Sequence, residues 1–426
     1  MTQNIVDVIN QEPYRQKFGI IVRILRVRNR FTLRGLGNLV NLSHAHLRKI
    51  ELGKTSISEN VFHRLMNVYH FELKYDPKIE EEFEELWELF HESIIQLNNI
   101  NMKKYYALIQ KKADVHKTSL WMFEYQIVEM AYQCQALDRL VDNLTLLYDE
   151  LYAIEPLINA EQKPLYYIYM ANYYFHIGLP EKSAKSVQNI FDLNTWDKYT
   201  AMANYLIGMA YSKTFSLQKS NLYFKSALTM FEDLNYHIQV KATHVFIAAN
   251  NVKMSVYDGT LDKLIGGIKL SLDYELRDLL EFIYMHIGIY YIKQSNPLKA
   301  LEYINKLNVK TNQSYFYKAY AYYMIKDYET LRALIKESFM TSKAPRKSDL
   351  LYHYALKALL VITEKHDALK NDVLKNFFEE CKSQSMFFEI DIAYDLYKST
   401  LIEQRRHKDA YYLTKTMVDI TKNAFD

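Results

Sequence analysis

Glycine and proline are scarce in this chain, ten and seven among 426 residues, while tyrosine (37) and phenylalanine (21) are plentiful. Few breakers and many large side chains imply a mostly helical, interdigitated interior. Cysteine occurs only at Cys134 and Cys381, both inside amphipathic patterns, so reduced core residues are expected rather than a bridge. The chain opens on nothing like a signal peptide, and no run of about 18 apolar residues could span a bilayer. A cytoplasmic protein is expected. Also missing are a P-loop, G-x-S-x-G, H-E-x-x-H and any Cys/His metal spacing, and the 13 histidines are scattered. No enzyme, cofactor or metal site is expected. The length leaves room for two or more cores.

The net charge of +3 hides an uneven distribution. Residues 14–75 hold 12 Lys/Arg against 3 Asp/Glu, a surplus of +9; residues 1–13 contribute −2 and residues 76–426 the remaining −4. A basic head on a slightly acidic body is the footprint of a nucleic-acid-binding domain joined to something else.

Within that head, two short helical patterns meet at a tight turn. Thr32 is the N-cap of the first, with Leu33, Leu36 and Leu39 as its apolar stripe. Val40-Asn41-Leu42 breaks the period. Ser43 caps the second, Leu47 and Ile50 carry its stripe, and Gly53 suits the C-terminal end. Helix, three-residue turn, helix is the shape of a helix-turn-helix, whose second helix enters the DNA major groove. Before it, residues 14–30 form a basic amphipathic helix, with Ile20, Ile21, Ile24 and Leu25 inward and Arg23, Arg26, Arg28 and Arg30 outward. After it, Ser58 caps a helix over 58–70 whose inner face is Val61, Phe62, Leu65, Met66 and Tyr69. Residues 1–13 carry weak signals, an arm or a short docking segment.

Residues 14–75 resemble the lambda-repressor-like (XRE/Cro) helix-turn-helix family. "TLRGL" opens the second helix, "LSHAHLRKIELGK" spans the third, and the most specific piece is the ending Ile50-Glu51-Leu52-Gly53-Lys54. Two positions depart from the family: Leu33 stands where glutamine is usual, and Arg48 where serine is common. The family's base contacts therefore do not carry over at those two places. On this reading His44, Ala45, His46 and Arg48 face base edges. The arginine suits guanine O6/N7 and the alanine methyl suits a thymine methyl. Thr32, Arg34, Ser43, Lys49 and Lys54 complete the DNA-binding set, mostly on phosphates.

Residues 76–114 read as an acidic helical linker. Ile79, Phe83, Leu86, Trp87 and Phe90 keep a helical stripe among eight carboxylates between 76 and 92. Its simplest role is a solvated connector; a sharper one is a negative surface competing with DNA for the head.

From about 115 the chain repeats. A small residue is followed at fixed intervals by an aromatic, a second small residue, a large apolar residue and another apolar one. Gly208, Tyr211, Ser220, Phe224 and Ala227 match throughout, as do Gly288, Tyr291, Ala300, Ile304 and Leu307. Ala248, Asn251, Thr260, Leu264 and Gly267 lie midway, giving a 40-residue period. Ala171, Ala131, Ala319 and Leu401 mark further copies. The spacing resembles the tetratricopeptide repeat, a helix pair that buries its face only by stacking on neighbours. The expected fold is all-α: a lambda-repressor-like head, then a right-handed tetratricopeptide-like superhelix over 115–426. Groove-facing side chains should lie one and five positions past each small residue. This register puts His176, Lys213, Lys253 and Lys293 in one column suited to a ligand carboxylate. It puts Asn172 where it could bond a peptide backbone. Tyr205, Met209, Phe316 and Tyr320 are expected as apolar pockets.

Head and repeats together resemble the peptide-pheromone receptors of Gram-positive bacteria and their phages, the Rap, NprR, PlcR and PrgX group with the arbitrium receptors as relatives. The resemblance implies a homodimer that binds a short signalling peptide in the repeat groove and a double-stranded DNA operator through the head, the peptide switching DNA affinity, with no membrane partner. The alternative is a Rap-like scaffold or anti-activator that holds a regulator protein instead of acting through DNA.

Overall fold

A computed structural model describes residues 4–135, 142–193, 197–341, 350–364, 367–384 and 386–425. Regular structure among the described residues is entirely helical. The head holds α1 (Ile5–Ile9), α2 (Tyr14–Arg28), α3 (Leu33–Val40), α4 (His44–Glu51) and α5 (Glu59–Tyr69). Next come α6 (Pro77–Ile95), α7 (Asn99–Gln110) and the single turn α8 (Ala113–His116). Helix pairs then run to the end. They are α9 (Met122–Gln135) with α10 (Asp142–Ile154), α11 (Lys163–His176) with α12 (Pro180–Gln188), and α13 (Lys198–Lys213) with α14 (Leu217–Asp233). The series continues with α15 (His237–Lys253) and α16 (Thr260–Asp273), α17 (Arg277–Lys293) and α18 (Pro297–Ile304), and α19 (Asn312–Met324) and α20 (Tyr328–Thr341). It closes with α21 (Leu350–Glu364) and α22 (Asp367–Ser383), then α23 (Phe387–Glu403) and α24 (His407–Phe425). The chain divides into two compact units: Met1–Ala210 with Thr229–Ile238, and Tyr211–Leu228 with Gln239–Asp426.

Scarce glycine does not mean scarce left-handed turns. Phe215, Asn235, Ser255, Glu275 and Ser295 all have φ between 54° and 59°, one at each helix end, 20 residues apart. These non-glycine residues accept a conformation that costs about 1–2 kcal/mol each, because the reversal lets successive helices pack. The 40-residue period is thus two near-equal halves.

The small positions of the repeat are where helices meet. A Cβ on Gly288 would lie 2.5 Å from Ile304 Cγ1, and one on Gly267 would lie 2.4 Å from Val245 Cγ2. Ala248, Leu264, Ala300 and Ile304 belong to the same buried cluster in the second unit. Gly288→Ala is expected to destabilise by about 1–3 kcal/mol through overpacking, measured as a fall in denaturation midpoint; an unchanged midpoint would remove the close-packing role.

The acidic segment is more than a connector. Phe83, Trp87 and Phe90 of α6 are buried against neighbours that include α7 and α9, and His91 bonds the buried Tyr169 hydroxyl. Glu92 accepts from Lys198 Nζ and Tyr236 OH, each at 2.7 Å. Of its other acids, Glu80 is buried, while Glu81, Glu82, Glu84, Glu85 and Glu88 remain exposed. The first residues dock as well: α1 buries Val6, Val8 and Ile9, and the Asn10 side chain pairs with the Ile57 backbone in both directions at 2.9 Å.

Candidate DNA-reading head and ligand-binding repeats

Thr32 Oγ1 accepts from Gly35 N and Ser43 Oγ from His46 N, so each hydroxyl satisfies a free amide at a helix start. Asn41, at φ 53°, closes α3 and opens the three-residue turn. Gly37 faces that turn, where a Cβ would sit 2.6 Å from Leu42 O. Leu36, Val40, Leu47 and Ile50 are buried beneath the motif. Leu39 is not: it is 57% exposed, and Val40 takes its expected place because the stripe continues from Leu36 by four residues. On α4, His44, Ala45, Arg48 and Lys49 are exposed and His46 is half-buried; Thr32, Arg34, Ser43 and Lys54 are exposed around them.

Glu51 ends α4 on its inner side. It is 2% exposed and takes a two-pronged pair from Arg26, with Nη2 to Oε2 at 3.1 Å, while Arg26 Nη1 donates to Phe31 O at 3.1 Å. Arg23 lies 4.0 Å from the same carboxylate. Gly19 lets the two helices approach, since a Cβ there would stand 2.6 Å from both Ile50 O and Glu51 O. The Glu51 carboxylate therefore fixes α4 on α2.

Part of the head's positive charge is spent inside the first unit. Arg28 forks onto Glu150 of α10 at 2.8 and 3.0 Å, and Gln126 donates to the same carboxylate, which is 2% exposed. Lys17 lies 3.2 Å from Glu124 and 3.0 Å above the Trp121 ring; Gln16 donates to Leu157 O at 2.8 Å. These side chains of α2 are committed to the repeats. The cations left outward include Arg34, Arg48, Lys49 and Lys54, on and around α4.

Glu80 sits in this seam. Burial raises its carboxyl from 4.5 to about 7, against the pull of Lys17 and Trp121, with Glu124 and Asp76 adding to the rise. The folded state therefore holds the proton more tightly than the unfolded chain does, and stability falls as pH rises from about 4.5 to about 7. Glu80→Gln is expected to raise the melting temperature at pH 8 and leave it nearly unchanged at pH 4; an equal effect at both would contradict this.

The expected ligand residues fall in both units. In the first, Asn172, His176 and Met209 are half-buried, and burial lowers the His176 pKa. Tyr205 is buried against Phe231, its ring 6.1 Å away. In the second, Lys213 is exposed and Lys253, Lys293 and Tyr320 are half-buried, but Phe316 is fully enclosed by Tyr320, Tyr352 and Phe377. Tyr205 and Phe316 are thus core residues, not pocket walls. Each lies three residues before a small residue, Gly208 or Ala319, and so shares its inward stripe.

Lys293 Nζ donates to Lys253 O at 2.9 Å and Ser255 Oγ at 3.1 Å, and lies 4.5 Å from the Phe388 ring centroid. Burial pushes the Lys253 and Lys293 amines down to about 8, against the attraction of Glu389. Glu389 is buried and receives the hydroxyls of Tyr317 and Tyr352, the latter at 3.0 Å. No repeat position marks Glu389, and its partners lie 72 and 37 residues away. Among the described residues there is no cluster of metal-ligating side chains and no helix long and apolar enough to cross a membrane.

Residues 17–73 match the family described as a helix-turn-helix domain. No curated protein sequence matches the chain. Among solved structures, a Rap protein complexed with Competence and Sporulation Factor is similar with TM-score 0.61 and 13% identity, over 80% of this chain and 98% of that one. The apo form of the quorum sensor NprR from B. thuringiensis gives 0.57 and 15%, over 80% and 99%. NprR in complex with its cognate peptide NprX gives 0.53 and 15%, over the same shares. The chain therefore carries a helix-turn-helix domain at residues 17–73 and has the fold of the solved Rap and NprR proteins.

Proposed function

We propose that this protein is a cytoplasmic, homodimeric transcriptional regulator of XRE type whose operator binding is switched by a short signalling peptide held in its repeats. The observation that carries the reading is the open face of α4. His44, Ala45 and Arg48 are free at the surface while Glu51 and Gly19 fix the helix from behind. A rigid helix with a polar outer face and flanking cations suits major-groove readout. The likeness to NprR, solved with a cognate peptide, supports a peptide as the ligand. The peptide acts by binding one arrangement of the repeats better than another.

The test is an electrophoretic shift of fragmented genomic DNA from the source organism, with and without an extract of its spent medium. The reading expects shifted fragments whose amount changes with the extract. The likeness to a Rap protein supports a second reading, a scaffold that holds a regulator protein. That reading expects no shift even at low salt.

A further inference from the structure

On one face of the second unit, charges of both signs stand near each other without pairing. Lys253 Nζ has no hydrogen-bond acceptor and no carboxylate within 4.0 Å among the described residues, only the Phe215 ring with its centroid 5.2 Å away. Lys213 adds repulsion to it. Lys293, by contrast, is satisfied by Lys253 O and Ser255 Oγ. On α23, Glu389 is 4% exposed, yet both tyrosine hydroxyls bond its Oε1, and its Oε2 receives no hydrogen bond from the described residues. Asp391, two residues on, is exposed and feels Lys293 without an ion pair. The Phe388 ring under Lys293 and the Tyr317 and Tyr352 bonds to Glu389 bring α17, α19, α21 and α23 together here.

Lys253 is half-buried and Glu389 nearly enclosed, and a structural ion pair between two such groups would have used both charges. Here an amine and a carboxylate each keep a free position, in reach of each other's field but not of contact. Such an arrangement is useful when a third body supplies both counter-charges. We propose that this face binds an extended peptide carrying both a carboxylate and a basic group, in one polarity: the carboxylate on Lys253 and Lys213, the basic group on Glu389 Oε2 and Asp391. The inference rests on the reading that the repeats hold a peptide. It adds the acidic half of the site and the direction of the ligand.

The test uses the full chain and two synthetic random hexapeptide libraries, one with free C-terminal carboxylates and one amidated, with retained peptides identified by mass spectrometry. Wild type should retain the free-acid library at least about tenfold better than the amidated one, the scale of a lost charge contact, with Lys and Arg enriched among retained peptides. Lys253→Met should abolish the acid-over-amide preference, and Asp391→Asn should abolish the Lys/Arg enrichment. Melting curves establish that each variant folds. If Lys253→Met does not, Lys213→Met at its exposed position replaces it and should weaken the same preference. Retention that ignores the terminal charge and is unchanged by the variants would overturn the two-signed site while leaving the peptide reading intact. Retention of nothing from either library would overturn the peptide reading, and this proposal with it.

Discussion

Arg26→Met should unfold the helix-turn-helix head at temperatures where the wild-type head is stable, at a cost of about 3–5 kcal/mol, the usual penalty for breaking a buried ion pair from one side. The substitution keeps an apolar stem of similar length but leaves Glu51, 2% exposed, facing Arg23 at 4.0 Å as its remaining cation. It also removes the donor to Phe31 O that holds the end of α2 to the following turn. Hydrogen exchange in α2 and α4 should accelerate together, because the two helices meet at the Glu51 carboxylate. The double variant Arg26→Met/Glu51→Leu should recover most of the loss, since neither charge is then buried alone. Recovery separates a buried-charge penalty from a role of Arg26 in touching DNA, which the second substitution could not repair.

Arg28→Met should have a comparable effect, about 3 kcal/mol, at a different place. It strands Glu150, 2% exposed, with Gln126 as its remaining donor. The damage should fall on the seam between α2 and α10 and leave α4 protected, because Arg28 makes no contact with Glu51. Exchange in α10 should rise while exchange in α4 stays slow. Glu150→Leu in the same chain should restore the seam. If Arg28→Met left α10 exchange unchanged, the fork onto Glu150 would carry no weight in holding the head on the repeats.

These two arginines show where sequence reading succeeds and where it stops. The amphipathic pattern over residues 14–30 correctly turned Ile20, Ile21, Ile24 and Leu25 inward. Local chemistry placed the caps: Thr32, Ser43 and Ser58 each bond the amide three residues on. The repeat register found Gly288, Ala300 and Ile304, which meet between helices, because tight packing fixes residue size at fixed intervals. Nothing local indicates that Arg26 and Arg28, two residues apart on the outer side of one helix, are taken by carboxylates 25 and 122 residues away. The pattern marks a side chain as polar; only the fold says whether water or a glutamate receives it. For the same reason the +9 total overstates the positive charge left on the outside of the head. Tyr205 and Phe316 failed differently: the repeat gave their spacing from the small residue, but the three-residue offset belongs to the buried stripe.

The account stands on α4 as a base-reading helix, and selection from random duplex DNA by wild type and Arg48→Ala tests it most directly. Wild type should enrich a defined motif. Arg48→Ala should lose preference for one base pair in it, at about 1–3 kcal/mol, while its salt dependence stays the same. No enriched motif, or the same motif from both proteins, would contradict the account.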